Sequence, residues 1–204
     1  MSNLSNINHP SYEPEKWNND ILIKKSHNCY AYALNLINTD NKKLCEKYML
    51  KTKSKDCLAV RPQPGYYSGY LDEYKPIFIS CDKIIRRMKK DNPMIKKLRK
   101  EEKCKDGYYK IALCCRENGT DYHFYRQDNN GLWSHKDGYR KATNKDSKKR
   151  IIKDPFLANR GNYKLFCGYF SVPNEAKYKN MSNLIRHSEK YSDKVSKVSY
   201  LLYN

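Results

Sequence analysis

No run of 18 apolar residues occurs anywhere in the 204-residue chain, so no helix is expected to cross a bilayer. Cys-x-x-Cys pairs are missing too, which leaves a structural zinc site without its usual spacing, and no metal or cofactor is expected. Met1 to Pro14 has no apolar core of the kind a secretory signal needs. Acidic residues are scarce: 22 Asp and Glu stand against 41 Lys and Arg, a net charge of +19. That excess can draw nucleic acid, another anionic polymer or a phospholipid surface. No RNA-recognition aromatic motif, zinc finger or helix-turn-helix pattern accompanies it, which argues against sequence-specific reading. Internal repeats are also absent.

What remains is enough for a folded domain. Aromatics make up 13% of the chain, too many for wholesale disorder even though the mean hydropathy is −0.99. The length suits one domain with a real core. Lys, Asn, Tyr and Ile are abundant, the bias of an AT-rich genome, and a large DNA virus is the expected source, with packaging in a virion as one setting. With no export signal expected, the eight cysteines are read as mostly reduced, in the cytoplasm or a similar intracellular compartment.

The chain changes texture along its length. Residues 1–20 are polar and carry Pro10 and Pro14, the pattern of an arm with little regular structure. Ile21 to Ile23 leads into Ser26-His27-Asn28-Cys29-Tyr30, where Asn28 can cap a helix running to about Asn38. A second helix is expected over 41–51, with Leu44, Tyr48 and Cys45 inward. Arg61 to Tyr70 is turn-rich. From Ser80 a helix with Ile84, Ile85 and Met88 on one side is expected to break at Asn92-Pro93 and resume over Met94 to Lys103. Between Lys83 and Lys105 lie eleven basic and three acidic residues, so Arg86, Arg87, Lys89, Lys90, Lys96, Lys97, Arg99 and Lys100 are the candidate polyanion contacts.

Strand character follows. Tyr108 to Cys115 alternates, with Tyr109, Ile111, Leu113 and Cys115 on one face; Cys114 and Cys115 should therefore point to opposite faces. Glu117-Asn118-Gly119-Thr120 marks a hairpin into Tyr122 to Gln127, and Asp128 to Gly131 marks a second turn into Leu132 to His135. Tyr163 to Val172 is a further strand, and the chain beyond Pro173 is expected to be helical. Helices first and an antiparallel meander after them give an α+β domain over 21–173.

Cys29 in a first helical turn has the helix dipole to favour its thiolate. His123 and His135 are twelve residues apart. A loop of odd length centred on Asn129 would set them opposite each other on one face of the sheet. Cys29, His123 and His135 then supply a nucleophile, a base and the group that orients it. Asp137 and Asp154 are alternatives for the third role, and Asn28, His27 and Trp17 are candidates for the oxyanion hole or cleft. Trp133 reads as core, and His9 and His187 are given no role.

These residues resemble the NlpC/P60 and CHAP branch of the papain-like cysteine hydrolases. Asn28-Cys29-Tyr30-Ala31-Tyr32-Ala33 is similar to the CHAP nucleophile motif, and Gln63-Pro64-Gly65 is similar to the Pro-Gly turn those enzymes place between helix and sheet. The resemblance spans about residues 17–172. It implies helices packed on an antiparallel sheet or small open barrel; beside it, the basic helices near 80–105 read as an insertion and 174–204 as a helical extension. It also implies hydrolysis or transfer at a peptide, amide or ester through a Cys-His-His triad. The chain departs from the NlpC/P60 pattern in having Asn-Cys-Tyr where those enzymes have Asp-Cys-Ser. The competing expectation is a basic, non-catalytic protein that binds nucleic acid or another polyanion.

Overall fold

The computed structural model describes residues 9–68 and 79–174. The helical extension expected beyond Asn174, with His187, lies outside them, as does the start of the N-terminal arm.

Five α-helices and one 3-10 turn (Leu58–Val60) precede the sheet in the described chain. α1 (Pro14–Asn18) replaces part of the arm expected to lack regular structure. Proline at its first positions costs no hydrogen bond there, and Trp17 gives the turn an apolar anchor that is 2% exposed. α2 (Ile21–Ser26) is capped by Asp20, whose carboxylate accepts the Leu22 and Ile23 N–H groups at 2.8 and 3.1 Å. α3 (Cys29–Ala33) starts at the expected Asn28 cap but stops well short of Asn38. Its end is a Schellman turn: Leu36 N–H reaches Ala31 O and Asn35 N–H reaches Tyr32 O, both at 3.0 Å, with Asn35 left-handed at φ 53°. α4 (Thr39–Thr52) matches the second expected helix, with Cys45 buried and joined to Cys57.

α5 (Cys81–Asp91) is capped by Ser80 and buries Ile84 and Met88, as its spacing predicts. The helix does not resume after Pro93. Asn92 takes the Met94 N–H on its side chain (2.9 Å) and the Ile95 N–H on its carbonyl (3.1 Å), which turns the chain into β1 (Lys96–Leu98). The expected pair of basic helices is thus one helix followed by a short edge strand. The rest of the sheet is β2 (Tyr108–Cys115), β3 (Tyr122–Gln127), β4 (Trp133–Lys136), β5 (Ala142–Thr143) and β6 (Leu165–Pro173). The strands lie in the order β1-β6-β2-β3-β4-β5, every pairing antiparallel, which establishes an α+β architecture with helices on an open sheet.

Alternation along β2 sorts the core into two layers. Tyr109, Ile111, Leu113 and Cys115 face the helices, packed with Cys29, Tyr30, Ile84, Met88, Phe124 and Phe170. Ala112 and Cys114 face the other way, with Tyr125, Trp133, Ile152 and Tyr169. Each large apolar side chain removed from water in these layers contributes about 1.5–3 kcal/mol before entropy is charged against it. Buried Arg126 ties the layers to the N-terminal segment, donating to Asp128 and to the Ser11 carbonyl at 2.9 Å each, and its guanidinium lies 4.3 Å from the Tyr32 ring centroid.

Candidate active site

Cys29 is fixed by what surrounds its helix start. The Asn28 side-chain oxygen accepts the Tyr30 and Ala31 N–H groups at 3.1 Å, and its amide donates to the Pro62 carbonyl at 2.7 Å. The expected Gln63-Pro64-Gly65 turn is present, closed by Tyr66 N–H on Gln63 O at 2.8 Å with Gly65 at φ 95°. Asp91 holds that turn to α3, accepting Gly65 N–H and the Tyr30 hydroxyl at 2.7 Å each.

The sheet supplies a fork above the sulfur. The β3–β4 ladder ends at the Tyr125/His135 pair, after which Lys136 continues along β5. Arg116 N–H donates to Asp121 O across the preceding hairpin, so stepping by two aims the amides of 121, 123 and 125 at β2. The Phe124 amide therefore points into the gap where β4 departs, and it draws the Cys29 thiol down. Burial outweighs that pull and pushes the thiol up to about 12. The resting sulfur is protonated, against the expectation of a thiolate favoured by the helix dipole. A five-residue helix has little dipole to set against a buried sulfur.

His123 and His135 meet as expected, with a different register. The β3–β4 loop holds five residues and is centred on Asn130, so His135 lies opposite Tyr125 and diagonal to His123. Both rings stay on the same face, and His123 Nε2 is 2.8 Å from His135 Nδ1. His135 Nε2 is 3.0 Å from the Lys145 carbonyl, which can only accept. That contact fixes the tautomers in sequence: His135 carries its proton on Nε2, its Nδ1 accepts from His123 Nε2–H, and His123 Nδ1 keeps its lone pair. Tyr163 stacks on the His123 ring and Tyr125 meets it edge-on, with centroids at 5.0 and 4.9 Å. His123 is held well below the ordinary histidine range by burial and by His135 beside it. It is a neutral base at rest.

Pairing with Cys114 puts His123 on the sheet face away from the core layer that holds Cys29. Among the described residues no hydrogen bond joins them, and His123 Nδ1 has no partner.

Other candidates fall elsewhere. His27 is buried and links segments: Nδ1 lies 2.8 Å from the Ser26 hydroxyl and 3.1 Å from the Ile23 carbonyl, and Nε2 accepts the Asn38 N–H at 2.9 Å. Burial lowers it to about 4. Trp17 is 2% exposed and sits edge-on to Tyr32 in the core, with centroids 4.8 Å apart. The Asn28 side chain is spent on its cap and on Pro62. His123 leans on His135 and not on Asp137, which faces Arg140 at 3.7 Å, nor on Asp154, which binds Lys100 at 2.9 Å and the Tyr169 hydroxyl. Trp133 is core, as read.

Lys136 was missed. Alternation from His135 places it on the helix face, and there its ammonium donates to the carbonyls of Lys24, His27 and Gly138 at 2.6 Å each. Burial, then Arg61, lowers it to about 7. It ties the α2–α3 corner to the strand that carries His135. Beside the site, a cavity of about 420 Å³ is walled by Tyr163, Asp121, Asp137 and the guanidinium-bearing side chains of Arg61, Arg116 and Arg160.

Of the polyanion candidates, Arg86, Lys89 and Lys90 are exposed on α5 and Arg87 is half-buried; Lys96 and Lys97 are exposed on β1, and Arg99 and Lys100 just after it. Lys100 is already paired with Asp154. Among the described residues no helix is long and apolar enough to cross a membrane. The structure pairs four of the eight cysteines, Cys45 with Cys57 and Cys81 with Cys167, and leaves Cys29, Cys104, Cys114 and Cys115 free.

No protein-family model and no solved structure matches the chain. A stretch of 54 residues is 54% identical to insoluble matrix shell protein 1 of Ruditapes philippinarum, covering 26% of this chain and 36% of that protein. The chain thus spans about a third of the length of the curated relative it matches.

Proposed function

We propose that the protein is a papain-like cysteine hydrolase or acyl transferase, similar in plan to the NlpC/P60 and CHAP enzymes. Cys29 is the nucleophile, His123 the base and His135 the residue that orients it. The observation that carries this reading is the chain Lys145 O, His135, His123. It leaves the His123 lone pair on Nδ1, the atom that must take the thiol proton. As substrate enters the fork, the Cys29 proton passes to His123 Nδ1 and the sulfur attacks the carbonyl of an amide or ester. His123 then returns that proton to the leaving amine or alkoxide, giving a thioacyl enzyme that water or an acceptor resolves. The Cys29 N–H, which is not among the groups the Asn28 side chain accepts, holds the oxyanion in this reading.

The test is to trap the acyl enzyme with an activated ester and map the adduct by mass spectrometry. Acylation at Cys29, lost in His123→Ala and reduced in His135→Ala, is expected. Equal acylation in both variants overturns the reading.

A second reading has its own support. The exposed basic residues of α5 and β1, and the partial match to a protein named for an insoluble shell matrix, fit a non-catalytic protein that binds a polyanion. Its mark is steep salt dependence, since each neutralised phosphate contributes a slope of about −0.9 in log K against log salt on duplex DNA.

A further inference from the structure

The three sulfurs of Cys81, Cys115 and Cys167 lie within 4.8 Å of one another at the far end of β2 from its Tyr108 start. Three different elements deliver them. Cys81 opens α5 just after the Ser80 cap. Cys115 ends β2 on the helix face. Cys167 is the extra residue of a β-bulge: Leu113 pairs with Gly168 and Cys114 with Phe166, so nothing on β2 opposes Cys167. Gly168, at φ +133°, takes up the distortion; a Cβ there would stand 3.0 Å from the Lys97 side chain. The bulge turns Cys167 onto the face of Cys115, so that both join the same core layer. Cys81 and Cys167 are bonded to each other, while Cys115 remains a thiol 3.5 Å from the Cys167 sulfur. A disulfide needs two cysteines; the bulge gathers three.

We propose that this cluster, once reduced, is a binding site for one thiophilic divalent cation, Zn²⁺, held by Cys81, Cys115 and Cys167 with its fourth position left to solvent. Sulfurs bound to zinc at about 2.3 Å stand about 3.8 Å apart in a tetrahedral shell, a spacing these side chains reach with small rotations. The site uses none of the residues proposed for catalysis.

The chemistry balances in two steps. A dithiol reductant gives two electrons and two protons: its own sulfurs close into a disulfide, the Cys81–Cys167 bond breaks, and both cysteines emerge as thiols. Zinc then displaces the three thiol protons to solvent and binds three thiolates. Each of the three ligands must give up its thiol proton to bind, which makes that displacement steeply dependent on pH. The same cluster is therefore metal-free when oxidised and metal-binding when reduced.

Cobalt(II) serves as the optical probe, since its thiolate charge-transfer bands report sulfur ligation. The full chain is titrated as oxidised protein, and again after reduction with a dithiol and desalting under inert gas. The expected result is a thiolate–cobalt band that saturates at one equivalent only in the reduced protein and is displaced by Zn²⁺. Cys115→Ala should weaken binding by roughly tenfold or more. Zn²⁺ should also protect Cys81, Cys115 and Cys167 of the reduced wild-type chain from maleimide, leaving Cys45 and Cys57 reactive. This map decides the matter should Cys115→Ala fail to fold. No band in the reduced chain, an unchanged band in Cys115→Ala, or protection at other cysteines overturns the proposal.

Discussion

Two buried histidines, one in the helical corner just before Cys29 and one on β3, are both shifted by burial but differ in their hydrogen bonds. At the α2–α3 corner, His27 has both ring nitrogens engaged, one with Ser26 and Ile23 and the other with Asn38. At the β3–β4 fork, His123 is engaged on one nitrogen only, and the chain of acceptors behind it determines which. Both are held below the ordinary histidine range by burial. A lowered pKa therefore does not distinguish a structural histidine from a base. The unused lone pair does.

Substitution should separate the two regions, first in rate. Cys29→Ala should lower hydrolysis of an activated ester by about 10³-fold or more with thermal stability little changed, and His123→Ala should match that loss of rate. His27→Ala should do the reverse, losing stability to urea as the Asn38 N–H goes unpaired, with a smaller change in rate. Next in size is Lys136→Met, which strands the three carbonyls that its ammonium holds and should cost about 3–5 kcal/mol in urea unfolding.

The acid limb of stability tests the His27 side of the comparison. Its folded value is about 4 against 6.5 unfolded, so the unfolded chain binds the proton first. Stability from this group is complete above about pH 6.5 and falls by about 3 kcal/mol as pH drops to about 4. His27→Gln should flatten that window, as urea midpoints against pH would show. His135→Asn, which keeps an acceptor near His123, should retain more activity than His135→Ala, the latter falling about 10²-fold. Smallest is the effect of reversing Arg86 and Lys89 on α5. It should leave ester hydrolysis within about twofold and, if the basic face binds a polyanion, reduce the salt slope of that binding by about 0.9 per lost phosphate contact.

The parts of this architecture legible from the chain are those set locally. β2 alternates into an Asn-Gly turn from which β3 returns, and α4 and α5 carry caps and apolar spacing. The pairing of His123 with His135 followed from a parity argument that holds for any odd loop, even though the centre moved from Asn129 to Asn130. What escaped depended on distant partners. Lys96 to Leu98 has no strand signature of its own and becomes a strand because β6 offers a free edge. α3 ends early because Asn35 accepts a left-handed conformation, which its type permits without announcing. Trp17 was read as part of a loose arm, and its place beside Tyr32 is a tertiary contact. The Cys81–Cys167 bond spans 86 residues and rests on a bulge that no spacing in the chain marks.

The assignment of His123 as the base for Cys29 is tested most directly by ¹⁵N NMR of the histidine side chains near neutral pH. The account predicts that His123 is neutral, protonated on Nε2 and bare on Nδ1, and that His135→Ala mixes the two tautomers. A proton resident on His123 Nδ1, or an imidazolium at neutral pH in the free protein, would contradict it.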